Sequence, residues 1–234
     1  MAKLRIDIVT PLPGLLESHF GDSILKRAQD KNIVSIHLHN LREFSTCKHS
    51  KIDDYQYGGG AGMVMTPQPL ADCLDLLLAQ RTYDEIIYMT PDGVPLDQSI
   101  CNQYSSYTNL LMVCGHYKGI DQRIRDKYIT SEISIGDYVL TSGELAATVL
   151  SDSIIRLVPG VLGNETSALS DSFQDDLLAP PVYTRPEDFR GLIVPKILLS
   201  GHDAKVEQWR FDQSMERTKN RRPDLFEKWL KKNS

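Results

Sequence analysis

The chain has 234 residues, of which 41% are hydrophobic and 24% charged, values typical of a globular protein that exclude a disordered or fibrous chain. Its longest apolar runs, such as residues 110–114, have the length of a strand and exclude a membrane span or a membrane partner. The net charge of −5 argues against a chain that binds nucleic acid over its whole surface.

The N-terminal residues and the cysteines predict the compartment. Residues 1–7 lack the apolar segment of a secretory signal, and the four cysteines (47, 73, 101 and 114) form no CxxC pair. We therefore expect a cytoplasmic protein with reduced thiols and without a zinc ribbon or a redox dithiol.

Alternation and apolar runs predict strands over 4–10, 33–39, 85–89, 109–114 and 131–135. Helical spacing predicts helices over 22–31, 67–80, 97–106, 121–127 and 143–157, the first two with Asp22 and Thr66 as N-caps. Strands that alternate with helices indicate an α/β domain with a mostly parallel sheet, which we place at residues 1–163.

The C-terminal third differs in composition. Residues 164–185 are rich in Ser, Asp and Pro without a period and predict a linker, and residues 186–234 predict a domain with helices over 202–220 and 223–232. Residues 196–234 contain 10 Lys/Arg and 6 Asp/Glu, a net charge of +4 against −9 for the rest. This basic tail suggests a local polyanion contact, although a solvated helix face of mixed charge gives the same balance and is favoured on charge alone.

Three glycine-containing loops are candidate binding segments: residues 58–62, 114–121 and 133–145. The last two follow predicted strands, where α/β sheets bind ligands, and main-chain groups beside apolar side chains can hold an adenine. None has the GxGxxG spacing or the Gly-Lys pair of the nucleotide-binding loops. The alternatives are an ordinary flexible loop for 58–62, a partly exposed loop histidine without a catalytic role for His116, and a turn capped by Ser142 at the helix start.

Single residues give weaker signals. Arg156 ends an apolar helix, where a cation also suits the helix dipole, and Asp171 lies between two serines of the linker. His37 and His39 share one face of a predicted strand, but without a Cys or carboxylate at ligand spacing a structural role is favoured over a metal site.

Taken in order, the motifs resemble those of the bacterial tRNA (guanine-37-N1)-methyltransferase family, within the SPOUT superfamily. The matching segments cover nearly the whole chain: residues 57–63, 114–121, 133–145, 156–163, 170–173, 183–186, 199–202 and 209–210. Each is a weak signal alone, whereas the ordered series is specific.

The resemblance implies a SPOUT-type α/β domain with a deep trefoil knot and a mostly parallel sheet, followed by a small C-terminal helical domain. It implies a homodimer with active sites at the subunit interface, S-adenosylmethionine as methyl donor, and guanine 37 of tRNAs with G36 as substrate. It assigns no protein metal ligands and leaves open whether Mg²⁺ takes part.

The resemblance also implies residue roles. Asp171 is expected to remove the proton from guanine N1, and Arg156 to stabilise the charge on O6. The expected donor-binding residues are Tyr88, Met89, Thr90, Pro91, Gly115, Tyr117, Gly119, Ser134, Ile135, Gly136, Asp137, Tyr138, Val139, Leu140 and Gly143. Candidate contacts to tRNA phosphates are Lys205, Arg210, Arg217, Arg221 and Arg222.

The sequence departs from the family pattern at three positions. Arg and Glu usually occupy the positions of His116 and Lys118, so that here a cation replaces a carboxylate beside the expected donor, and Ala179 stands where relatives often carry an acid. Two other readings therefore stay open: an RNA-binding module that has lost catalysis, and a SPOUT methyltransferase for a different nucleotide. A nucleotide hydrolase is less favoured because the phosphate loop is missing.

Overall fold

The computed structural model of the protein describes residues 3–163 and 171–233. The chain divides into two units, Met1–Glu165 and Thr166–Ser234. Ser170, which begins the 170–173 motif, and residues 164–170 of the predicted linker lie outside the described residues.

The first unit is built on a five-stranded parallel sheet with the order β2-β1-β6-β5-β7. These strands are β1 (Leu4–Thr10), β2 (Val34–Asn40), β5 (Glu85–Pro95), β6 (Asn109–Cys114) and β7 (Ser131–Ser134). The short strands β3 (Asp53–Tyr55) and β4 (Met63–Met65) form a separate antiparallel pair.

Helices cover both faces of this sheet. They are α1 (Gly14–Phe20), α2 (Ser23–Asp30), α3 (Pro67–Gln80), α4 (Gln98–Ser105), α5 (Gln122–Tyr128) and α6 (Glu144–Ile155). Buried side chains of α1, α2, α4 and α6 pack in one core cluster, and those of α3 and α5 pack in a second cluster. The central strand β6 contributes to both, which explains its continuous apolar run.

The predicted strands and helices of this unit are confirmed to within a few residues, with one main difference. The strand predicted to end at Met89 continues to Pro95, because Met89 and Val94 both pair with Ile133 across a register shift. A Cβ at Gly93 would lie 2.6 Å from the backbone of Glu132, so glycine permits this irregularity. The helix α1 and the pair β3–β4 were not predicted, since each is too short to show a clear period.

The second unit contains a small hairpin and two helices. The hairpin strands are β8 (Asp188–Phe189) and β9 (Leu192–Ile193), and the helices are α7 (Asp203–Arg221) and α8 (Pro223–Asn233). Both helices match their predicted ranges within one residue, whereas the hairpin was missed. Among the described residues, no helix combines the length and the apolar character that a membrane crossing requires.

Candidate active site

A pocket of about 420 Å³ lies at the carboxyl ends of β6 and β7 and beside residues 88–92 of β5. Of the predicted donor-binding residues, it is lined by Tyr88, Met89, Thr90, Pro91, Gly115, Tyr117, Gly119, Ser134, Ile135, Gly136, Tyr138, Val139, Leu140 and Gly143. Asp137 is exposed at the centre of a tight turn closed by the Tyr138 N–H on the Gly136 oxygen and does not line it. Residues 88–91, expected to form a loop, belong to β5, so this strand and two loops that are distant in sequence meet at one cavity.

Two glycines allow these loops to approach each other. A Cβ at Gly115 would lie 2.8 Å from the Tyr88 hydroxyl, and one at Gly143 would lie 2.8 Å from the Gly115 nitrogen. The Gly143 N–H donates to the Gly115 oxygen at 2.8 Å. A larger residue at either position would push the backbone out of this contact.

The pocket combines apolar side chains with main-chain groups. Ile133, Ile135, Val139, Leu140 and Ala146 line it, and most of the segment between β7 and α6 belongs to no helix or strand. Main-chain donors and acceptors beside aliphatic side chains suit a planar heterocycle such as adenine.

Arg125 lines the pocket, and two carboxylates neutralise its positive charge. Its guanidinium donates to Glu132 at 2.7 and 2.8 Å and to Asp92 at 2.8 Å, and it lies 5.3 Å from the centre of the Tyr88 ring. Hydrogen bonds from Thr90 and Arg125 lower the pKa of Asp92. Arg125 therefore orders the wall of the pocket instead of presenting a free charge to a ligand.

His116 is held by a buried carboxylate. Its Nε2 lies 3.0 and 3.1 Å from the two oxygens of Glu144, which is fully buried at the start of α6 and also accepts from the Thr10 hydroxyl at 2.5 Å. Burial raises the pKa of Glu144, but hydrogen bonds from His116, Ser142 and Thr10 outweigh it and leave the pKa lowered. His116 is thus a partly exposed loop histidine that is tethered to α6.

Sequence reasoning missed Glu144 and Arg125. Glu144 directly follows the Ser142–Gly143 turn, and an acid among the apolar residues of 144–155 was the available signal. The Ser142 cap that we considered is wrong, because Gly143 occupies the N-cap position and no side chain caps this helix.

The two predicted catalytic residues lie in different units. Arg156 follows the last residue of α6, as its sequence position predicted, and is half-buried. Asp171 is half-buried near the start of the second unit.

The predicted phosphate contacts all lie on or directly after α7. Lys205, Arg210, Arg221 and Arg222 are exposed, whereas the Nε of Arg217 is buried. Arg210 lies 3.2 Å from Glu207, and Arg222 lies 2.6 Å from Asp224. Lys205 and Arg221 are therefore the stronger candidates.

Among residues 3–163 and 171–233, no group of three or more His, Cys, Asp or Glu side chains is placed to hold a metal ion. His39 contacts the Asp7 carboxylate at 2.6 Å, a partner from another strand that spacing did not indicate.

Comparison with known proteins decides the family. The family model described as tRNA (Guanine-1)-methyltransferase TrmD matches residues 4–228. The chain belongs to this family.

Named relatives agree with this assignment. The chain is 62% identical to a tRNA (guanine-N(1)-)-methyltransferase of Flavobacterium johnsoniae over 96% of this chain and 99% of the relative. Proteins of the same name from Cytophaga hutchinsonii and Bacteroides fragilis are 59% and 57% identical. The alignments cover 97% of this chain and 97% of the Cytophaga protein, and 96% of this chain and 100% of the Bacteroides protein.

Proposed function

We propose that this chain methylates N1 of guanine 37 in tRNAs that carry guanine at position 36, with S-adenosylmethionine as the methyl donor. The family match over residues 4–228 is the observation that carries the proposal. The pocket supports it, because two segments that carry the resemblance, 114–121 and 133–145, line one cavity. Its substrate places this activity in the cytoplasm.

The residues of the pocket fit such a donor. The cavity of about 420 Å³ has the size of small-molecule sites, and its aliphatic wall suits an adenine face. When bound, S-adenosylmethionine supplies an activated methyl group on a sulfonium, so the protein needs no covalent intermediate. Glycine at positions 115 and 143 permits the close contacts that hold the two loops together around the cavity.

Two side chains carry the proton chemistry in this proposal. Guanine N1 is protonated at neutral pH, so a base must remove its proton, and we assign this role to Asp171. Negative charge then develops on O6, and we assign its stabilisation to Arg156. A base in the predicted linker can be positioned by the correct tRNA, which links specificity to catalysis.

We also propose that the 135–143 segment threads through the loops of the sheet as a trefoil knot. The support is the close crossing of two loops: Gly143 donates to Gly115, and His116 forms an isolated β-bridge with Ser142. Chains rarely thread in this way, so the proposal of a knot also depends on the resemblance to the family.

A homodimer is part of the proposal. The helices α1 and α6 contact each other, and both carry exposed aliphatic side chains: Leu15 is 54% exposed, Leu145 57% and Val149 44%. An aliphatic patch of this kind is typical of a surface that another chain covers. The second copy would place the active sites at the interface.

We further propose residues 186–234 as a tRNA-binding domain joined to the donor domain through 164–185. Lys205 and Arg221 are exposed on α7 and, in the part of the chain that is described, pair with no carboxylate. Binding through such cations weakens as salt is raised.

The test uses two tRNA transcripts that differ only at position 36, G36-G37 and A36-G37, with labelled S-adenosylmethionine and magnesium. We expect label at N1 of G37 in the first transcript alone, mapped by nuclease digestion and mass spectrometry. Label on another nucleotide would show a SPOUT methyltransferase of different specificity. Clear tRNA binding without label in either transcript would show an RNA-binding module without catalysis.

A further inference from the structure

Lys118 is a charged residue of the pocket that the proposed function does not use. It lies in the loop after β6, lines the cavity and is exposed at its edge. Its backbone N–H donates to the Met63 oxygen at 2.9 Å, which fixes the loop against β4. The position of Lys118 is therefore set by the fold.

The absence of a side chain at Gly62 leaves space for the side chain of Lys118. A Cβ at Gly62 would lie 2.8 Å from the Cγ of Lys118 and 3.0 Å from its Cε. The aliphatic stem thus runs along the bare backbone of Gly62, whose φ of 98° also favours glycine. Part of the 58–62 glycine run serves to seat this side chain.

The charges around the pocket single out Lys118. Arg125 is paired with Asp92 and Glu132, and His116 contacts Glu144. Within residues 3–163 and 171–233, no carboxylate pairs with the Lys118 ammonium. Lys118 is thus the cation of the lining that can accept an anionic group from a ligand.

We propose that Lys118 binds the carboxylate at the amino-acid end of the methyl donor. The proposal rests on the function proposed above. Its physical basis is that the donor carries a sulfonium, an ammonium and a carboxylate, and a lysine attracts only the last of these. The amino-acid end is therefore oriented toward the loop after β6, with the sulfonium away from the lysine.

Calorimetric titration of the full-length protein with two ligands tests this assignment. S-Adenosylhomocysteine keeps the carboxylate, whereas 5′-methylthioadenosine lacks the amino-acid end. We expect Lys118→Met to weaken binding of S-adenosylhomocysteine about tenfold, the effect of losing one charge-assisted hydrogen bond, and to change binding of 5′-methylthioadenosine by less than about twofold. Lys118→Arg should restore most of the loss, and Lys26→Met on the exposed face of α2 should change neither ligand.

Four results would overturn the proposal. Lys118→Met could bind S-adenosylhomocysteine as the wild type does, or it could lose affinity for both ligands equally, which would indicate a change in pocket shape. A variant that keeps its affinity for S-adenosylhomocysteine but binds tRNA less tightly would assign the cation to an RNA phosphate. A wild-type protein that binds neither ligand would instead refute the donor site of the proposed function, and the Lys118 assignment with it.

Discussion

At the scale of single residues, buried Glu144 explains how His116 is positioned. The fully buried carboxylate contacts the imidazole at 3.0 Å and accepts from Thr10, so His116 connects the loop after β6 to the start of α6. This contact fixes the position of the loop. Removal of either partner would leave a buried polar group unpaired, which costs free energy. The base named in the proposed function, Asp171, is not a member of this pair.

Replacement of Asp171 tests the assignment of the base. We expect Asp171→Ala to lower the single-turnover rate by about 10²- to 10⁴-fold while tRNA binding is kept, because general-base catalysis is worth that much. Higher pH should partly restore the rate, since it deprotonates guanine N1 without the protein. The matched control is Asp175→Ala, an exposed carboxylate four residues away that should leave the rate unchanged. A near-normal rate for Asp171→Ala would remove Asp171 from the mechanism.

At the scale of elements, β1 is held by a buried charge cluster at its centre. Asp7 is fully buried and accepts from Arg5 at 2.7 and 2.8 Å, contacts His39 on β2 at 2.6 Å, and accepts from Tyr83 at 3.0 Å. Burial alone would raise the pKa of Asp7, but the hydrogen bonds from His39, Arg5 and Tyr83 together hold it well below its usual value. The edge strand β2 is thus tied to the centre of the sheet by charge as well as by the backbone.

The lowered pKa makes this cluster sensitive to acid. Because Asp7 ionises more readily in the folded chain, its contribution to stability is complete above about pH 4 and is lost as the pH falls through the folded pKa. We expect Asp7→Asn to lower the free energy of unfolding by about 3 kcal/mol near pH 7, the cost of breaking a buried ion pair. The difference from the wild type should shrink below about pH 4.

Urea unfolding followed by circular dichroism measures this difference. The pH is varied from about 3 to about 8, because this range includes the pH at which the Asp carboxyl group titrates in the unfolded chain. The control is Asp30→Asn, an exposed carboxylate at the end of α2 that should change stability little at any pH. A difference for Asp7→Asn that persists unchanged in acid would show that the cluster acts through packing and not through charge.

At the scale of the whole molecule, the exposed aliphatic residues of α1 and α6 predict self-association. We expect the wild type to sediment with twice the chain mass of 26.4 kDa, and Leu145→Glu to sediment as a monomer, because a charge in an apolar interface must be desolvated. The matched control is Leu76→Glu, which is 48% exposed on α3, a helix of the other core cluster. A wild-type monomer, or a dimer that survives Leu145→Glu, would place the interface elsewhere or exclude it.

The sequence determined the local elements and the order of the motifs. Helical spacing over 67–80 and alternation over 4–10 predicted α3 and β1 to the residue, because these segments are long enough to show their period. The motif series also predicted which loops line the pocket. A family resemblance assigns binding roles to particular positions, whereas residue chemistry alone does not distinguish these loops from others. The 188–193 hairpin showed no such signal, because its strands are two residues each.

Only the tertiary structure decided which charges meet. Thr10 and Glu144, which form a hydrogen bond, are 134 residues apart in the sequence. The contacts of His39 with Asp7 and of Arg125 with Asp92 join residues that are 32 and 33 positions apart. No spacing rule reaches over such separations, since these contacts arise where the sheet brings distant strands and loops together. For the same reason the sequence marked Lys118 only as an unusual residue. The structure shows that Asp92 and Glu132 pair with Arg125 and that Glu144 contacts His116, whereas no carboxylate among the described residues pairs with Lys118.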